Sequence, residues 1–242
     1  MPVQLISEQT PAETLAAQTL AAETMPASEP IGSPARGHGV IVLVRHGEPN
    51  LSKRVQLSAA GYFDWWARYE ETGLKPGQTA PEVLKLYAEG ASVILCSTRP
   101  RAIETAKAIA AGRIVQVDPG LIEAPLPPPN LPGWLKLPPP AWGVIARVHW
   151  WFFNKHGQES RAQAQCRADA AAERLIALSG DGDVLVVAHG FFNTMIGISL
   201  QRDGWKLTTN QGYKYWSMRR FERKRGMVVT AAGELAAAVL DN

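Results

Sequence analysis

The stretch Val40-Ile41-Val42-Leu43-Val44-Arg45-His46-Gly47-Glu48 decides how the chain is read. A continuous apolar run rich in β-branched residues reads as a strand buried on both faces, as in a parallel sheet covered by helices. The run stops at an arginine, a histidine and a glycine. In open α/β sheets, ligands collect outside the carboxyl ends of the strands, so Arg45 and His46 emerge where chemistry is expected. The pattern returns as Asp183-Val184-Leu185-Val186-Val187-Ala188-His189-Gly190, a second buried strand that delivers a His-Gly.

Between the two lies Ala91-Ser92-Val93-Ile94-Leu95-Cys96, a third apolar strand running into Ser97-Thr98-Arg99-Pro100-Arg101-Ala102. Ser97 or Thr98 is suited to cap a helix whose first turn holds Pro100. Arg99 and Arg101 then stand at the positive end of the helix dipole, where an anion rather than a cation is expected. Strands alternating with helices predict an α/β fold: a three-layer sandwich with a mostly parallel central sheet flanked by helices.

Composition narrows the function classes. The 242 residues, 46% of them hydrophobic, can fill one large α/β core, and we read residues 39–242 as one domain. Residues 1–38 carry four glutamates and one arginine among Ala, Thr and Pro, and read as a flexible tail with at most a short helix over 12–23. The net charge of +3 therefore divides into −3 on the tail and +6 on the rest, which suits a cleft for a phosphorylated ligand and is too weak for a nucleic-acid footprint. Cys96 and Cys166 make no disulfide framework and suggest a reducing, cytoplasmic setting. No apolar run is long enough for an integral membrane segment. The sequence is silent on oligomeric state.

Further signals lie along the chain. Tyr62, Trp65, Trp66 and Tyr69 make one apolar stripe on a helix capped by Ser58, and read as core in preference to an aromatic ligand box. Thr79 to Glu89 reads as a second helix, and 114–117 as a short strand. The polar loop 48–54 is of the kind that crosses the mouth of a site, which makes Asn50 a candidate substrate contact. Residues 124–153 carry proline runs at 127–129 and 138–140 with Trp134, Trp142, Trp150 and Trp151, and read as an extended or irregular insertion over the site, either a lid or a cover for core. His149 and His156 read as surface or lid residues. A long Ala-rich helix follows from Ser160 to Leu178, then a helix over 191–200, a late edge strand over 213–220 and a short strand over 227–230.

Strand plus Arg-His-Gly-Glu early, an arginine-bearing helix start, and strand plus His-Gly late resemble the histidine phosphatase superfamily, the fold of phosphoglycerate mutase-like enzymes. The likeness spans residues 39–220. It implies a phosphohistidine formed at His46, with Arg45, Arg101 and His189 holding the phosphate; Gly47, with no side chain, lets the backbone come close, and the backbone N–H groups at Gly190, where a helix begins, are suited to help. It also implies that Glu123, after the third strand, serves as acid and then base. The chain departs from the family after Glu123, where Ala-Pro-Leu-Pro replaces the usual glycines, and at Gln158, where the family has a glycine. The activity implied is metal-independent hydrolysis of a phosphomonoester, on a small molecule or a phosphoprotein, with no metal and no cofactor. A phosphoglycerate mutase-like phosphotransferase is the alternative, weakened because Pro49 replaces the serine common in mutases. A non-catalytic phospho-ligand binder is the other, and it would need no nucleophile.

Overall fold

The computed structural model describes residues 38–153 and 158–223. The expected tail, the helix over 12–23, His156 and the strand over 227–230 lie outside the described residues.

Six strands form one sheet in the order β3 (Gln116–Val117), β2 (Val93–Cys96), β4 (Val184–Ala188), β1 (Ile41–Arg45), β6 (Met218–Arg223) and β5 (Trp205–Asn210). The first four are mutually parallel, and β6 and β5 run antiparallel at one side. The apolar runs are continuous because alternate residues serve different cores. Ile41, Leu43, Val184 and Val186 pack beneath α5 (Arg161–Leu178) and α6 (Gly190–Arg202). Val42, Val44, Leu185 and Val187 pack on the opposite face, beneath α2 (Glu82–Gly90) and α3 (Pro100–Ala110). Covering both faces gives the three expected layers.

Local chemistry explains the helices. Ser58 accepts from the Gly61 amide and starts α1 (Ala59–Glu71). Ser160 and Gln163 form a reciprocal capping box at the start of α5. Ala164, Ala168 and Ala172 repeat every four residues along α5 and are buried, so α5 lies close to the sheet and to α6.

Three expectations change. The cap of α3 is Arg99, with Pro100 at its first position, rather than Ser97 or Thr98. The insertion is not irregular throughout: α4 (Pro139–Phe152) begins at its second proline run, since proline fits the first helical turn, where its missing N–H costs nothing. The late strand begins at Met218 and is interior, paired on both sides. The true edge is β5, whose inward Trp205, Leu207 and Thr209 alternate with exposed Lys206, Thr208 and Asn210. Helices α1 and α4 form a separate aromatic cluster in which Trp142 stacks on Tyr62 and Trp65 on Tyr69.

Candidate active site

Parallel register brings the histidines together. Arg45 pairs with Ala188, so His46 and His189 leave adjacent strands side by side, with ring centroids 5.2 Å apart. Cys96 pairs with Val187, which places Ser97 at the same carboxyl-end rim. Both histidines and Arg101 are buried.

The hydrogen bonds set the tautomers. Nδ1 of His46 lies 2.7 Å from the Gly47 carbonyl oxygen, which can only accept, so Nδ1 carries the proton and Nε2 keeps its lone pair. The Arg101 Nε–H donates to that Nε2 at 3.3 Å. In His189, Nδ1 faces Arg101 Nη2 at 3.4 Å and Nε2 faces the Ser97 hydroxyl at 2.9 Å, so the proton sits on Nε2. Burial, then the Arg101 charge, lowers the His46 pKa well below its usual value. For His189 burial again comes first, followed by His46 and Arg101. Both rings are neutral near pH 7.

Arg101 is held as firmly as it holds. Its guanidinium donates to the Tyr69 and Glu70 carbonyls and to the Glu70 carboxylate, the last at 2.7 Å, and lies over the Tyr69 ring. Glu70 also pairs with Arg99 at 2.6 Å, so one carboxylate fixes both arginines of the α3 start. Arg45 donates to the Tyr213 carbonyl and lies 4.6 Å from the centre of the Tyr215 ring. Lys53 occupies the same ring at 4.6 Å and donates to its hydroxyl; burial lowers the pKa of this lysine.

Two glycines are dictated by neighbours. A Cβ on Gly47 would lie 2.5 Å from the Trp216 indole, so this glycine makes room for a side chain as well as for any ligand. A Cβ on Gly190 would press on Arg45 at 3.3 Å.

These groups open into a cavity of about 650 Å³, and Arg45, His46, Arg101, Glu123, His189 and Gly190 all line it. Glu123 accepts from the amides of Phe191 and Phe192 at 3.3 and 3.0 Å, which seats a carboxylate on the N-terminus of α6, where the helix dipole favours it. Arg147 approaches it at 3.9 Å. Asn50 is not brought in: it is exposed and lines a neighbouring cleft with Glu48 and Lys75. The sequence reading missed Lys53, Tyr213, Tyr215, Glu70 and Arg147. The composition of the polar loop could have flagged Lys53; the others reach the site from elements whose local sequence carries no signal of it. The stripe Tyr62-Trp65-Trp66-Tyr69 serves twice, since it builds the α1–α4 core and also lines the cavity. Among the described residues no group of three or more His, Cys, Asp or Glu could hold a metal ion, and no helix is long and apolar enough to cross a membrane.

A sequence profile described as the histidine phosphatase superfamily (branch 1) matches residues 41–230. No curated protein matches the chain. Among solved structures, the product of an open reading frame of Mycobacterium tuberculosis is 21% identical, with a TM-score of 0.50 over 78% of this chain and 93% of that one. A protein described as mycobacterial hydrolase 1 is 21% identical, with a TM-score of 0.52 over 76% and 89%. A phosphoserine phosphatase variant from Entamoeba histolytica, solved with phosphoserine, is 18% identical, with a TM-score of 0.50 over 78% and 92%. At these identities the likeness speaks for the fold.

Proposed function

The chain belongs to the histidine phosphatase superfamily, and from that premise we propose that it hydrolyses a phosphomonoester through a phosphohistidine at His46. The observation that carries this reading is the unprotonated Nε2 of His46, which accepts from Arg101 in a ring that lines the cavity together with Arg45, Arg101 and His189. A neutral imidazole is a competent nucleophile at pH 7, and buried arginines supply the charge that the equatorial phosphoryl oxygens require.

In the first step, Nε2 of His46 attacks phosphorus in line and the P–O bond to the alcohol breaks. The leaving oxygen takes a proton from Glu123, which enters this step as the carboxylic acid and leaves it as the carboxylate. The Nδ1–H bond to the Gly47 carbonyl holds the ring in the attacking tautomer and accommodates the positive charge that develops on it. Arg45 donates to the phosphoryl oxygens; Arg101 does so by turning its Nε–H from His46 Nε2, which frees the attacking lone pair, and His189 donates through Nε2–H by turning from Ser97. In the second step, water gives a proton to Glu123 and attacks phosphorus; the P–N bond breaks, which restores neutral His46 and releases inorganic phosphate. Neither step calls on a metal.

A quench experiment tests this. Acid destroys a phosphoramidate and base spares it, so labelled substrate is turned over in the presence of chelator and stopped in alkali. Label should remain on the wild type and be missing from His46→Ala. Equal labelling of both, or loss of turnover that a divalent ion restores, would overturn the reading.

A further inference from the structure

We infer that the leaving group accepted by this site is a large apolar body, a hydrocarbon or a fused aromatic, rather than a small charged acid; the inference rests on the phosphatase reading and names its substrate class. The cavity is polarised. Its charged pole is built by His46, His189, Arg45 and Arg101, and Lys53 belongs to this pole because it shares the Tyr215 ring with Arg45. The remaining wall is aromatic and aliphatic: Tyr62, Trp65 and Trp66 from α1, Leu126 from the insertion, and Val144 and Val148 from α4. A volume of about 650 Å³ is in the range that encloses a drug-sized ligand and is far more than a phosphate fills.

The charges of the outer region decide against an acid. The cation there is Arg147, and its guanidinium is already engaged: it donates to the Ala124 and Pro125 carbonyls, faces Glu123, and lies 3.9 Å from the centre of the Phe191 ring. A carboxylate on the leaving group would lose its water against tryptophan and valine, and would have to compete for Arg147 with Glu123 and two backbone carbonyls.

The backbone of α4 supports the same conclusion. Gly143 stands mid-helix, where glycine costs about 1 kcal/mol relative to alanine, and a Cβ there would sit 3.8 Å from the Tyr62 hydroxyl and project into the cavity wall. The missing side chain widens the apolar part of the cavity. Val144 and Val148 are exposed, so the apolar wall continues outward past the rim, and a long chain need not be enclosed entirely.

The test compares ethyl, hexyl and decyl phosphate below their aggregation concentrations. In parallel it measures by calorimetry the binding of the matching alkylphosphonates, which cannot be hydrolysed. A buried methylene is worth up to about fourfold, so kcat/KM for decyl phosphate should exceed that for ethyl phosphate by about 100-fold or more, and phosphonate affinity should rise in step. Gly143→Leu, which favours the helix, should cut the decyl-to-ethyl ratio at least tenfold. A 2-naphthylphosphonate arm separates the two sources: tighter binding than decylphosphonate assigns a planar ring, weaker binding a hydrocarbon. Ester turnover with flat or falling dependence on chain length in both measurements, or preference for 3-phosphoglycerate, overturns the inference. Phosphonates that tighten with length while no ester is hydrolysed would remove the hydrolytic reading and keep the ligand class.

Discussion

Arg101 Nε stands 3.3 Å from His46 Nε2, and the same guanidinium reaches His189 Nδ1 at 3.4 Å. One buried, fully engaged cation therefore touches both histidines while its far edge is clamped by Glu70 and the Tyr69 carbonyl. The clamp keeps the guanidinium in place as the phosphoryl charge develops, and only the N–H groups given to the two histidines change partner. Lysine cannot replace it, because a point charge on a flexible stem cannot span four partners in one plane. Arg101→Lys should lower kcat/KM by about 100- to 1,000-fold for every ester, the range for loss of one preorganised donor. Steady-state rates on p-nitrophenyl phosphate, with the melting temperature as a control, measure it; a variant within tenfold of wild type would remove Arg101 from the phosphate pole.

The lowered histidine pKa values carry a stability consequence with a definite sign. His46 and His189 are buried and neutral when folded, whereas in the unfolded chain each titrates near 6.5. Below that pH the unfolded state binds protons that the native state refuses, so stability present above about pH 6.5 is lost as pH falls towards the folded values. Each histidine contributes a slope of up to about 1.4 kcal/mol per pH unit in this window. Urea unfolding between pH 7 and 5.5 should show the decline, and His46→Asn and His189→Asn should each flatten it. An unchanged slope in both variants would mean that the rings take up protons in the native protein as they do in the unfolded chain.

How much of this was legible in the sequence depends on whether a residue acts through its own strand or through a distant one. The strand ends at His46 and His189 were readable because an apolar run that stops at a polar residue marks a sheet's carboxyl edge. Glu70 and Tyr215 were not, because they reach Arg101 and Arg45 across elements whose docking no local pattern specifies. The tryptophans of the insertion show the limit most clearly, since the sequence treats Trp134 and Trp142 alike. The structure separates them: Trp134 is 80% exposed and outside the cavity lining, whereas Trp142 is fully buried against Tyr62 with its Nε1–H donating to the Leu57 carbonyl at 2.7 Å. Trp134→Ala should change unfolding free energy by no more than about 0.5 kcal/mol and leave substrate preference alone. Trp142→Ala should cost about 3–5 kcal/mol, as for other large core truncations. Denaturant unfolding of the two variants decides, and a selective shift in substrate preference from Trp134→Ala would restore a lid role to that residue.

Glu123 carries the proton in the proposed chemistry, yet its oxygens also cap α6 through the Phe191 and Phe192 amides. The two roles can be separated by the leaving group. A general acid is worth about 100- to 10,000-fold only where the departing oxygen must be protonated. Alkyl phosphates meet that condition and p-nitrophenyl phosphate does not. In single turnover, Glu123→Gln should therefore slow phosphoryl transfer from hexyl phosphate by at least about 100-fold and from p-nitrophenyl phosphate only slightly. Loss of the charged cap should also lower stability by about 1 kcal/mol, whichever substrate is used. Release of phosphate from the phosphohistidine should slow for both substrates, since the same carboxylate then activates water. If transfer from the two esters falls equally, Glu123 serves the α6 terminus and the geometry of the phosphate pole, and the proton must come from another group, with Glu48 the first to replace.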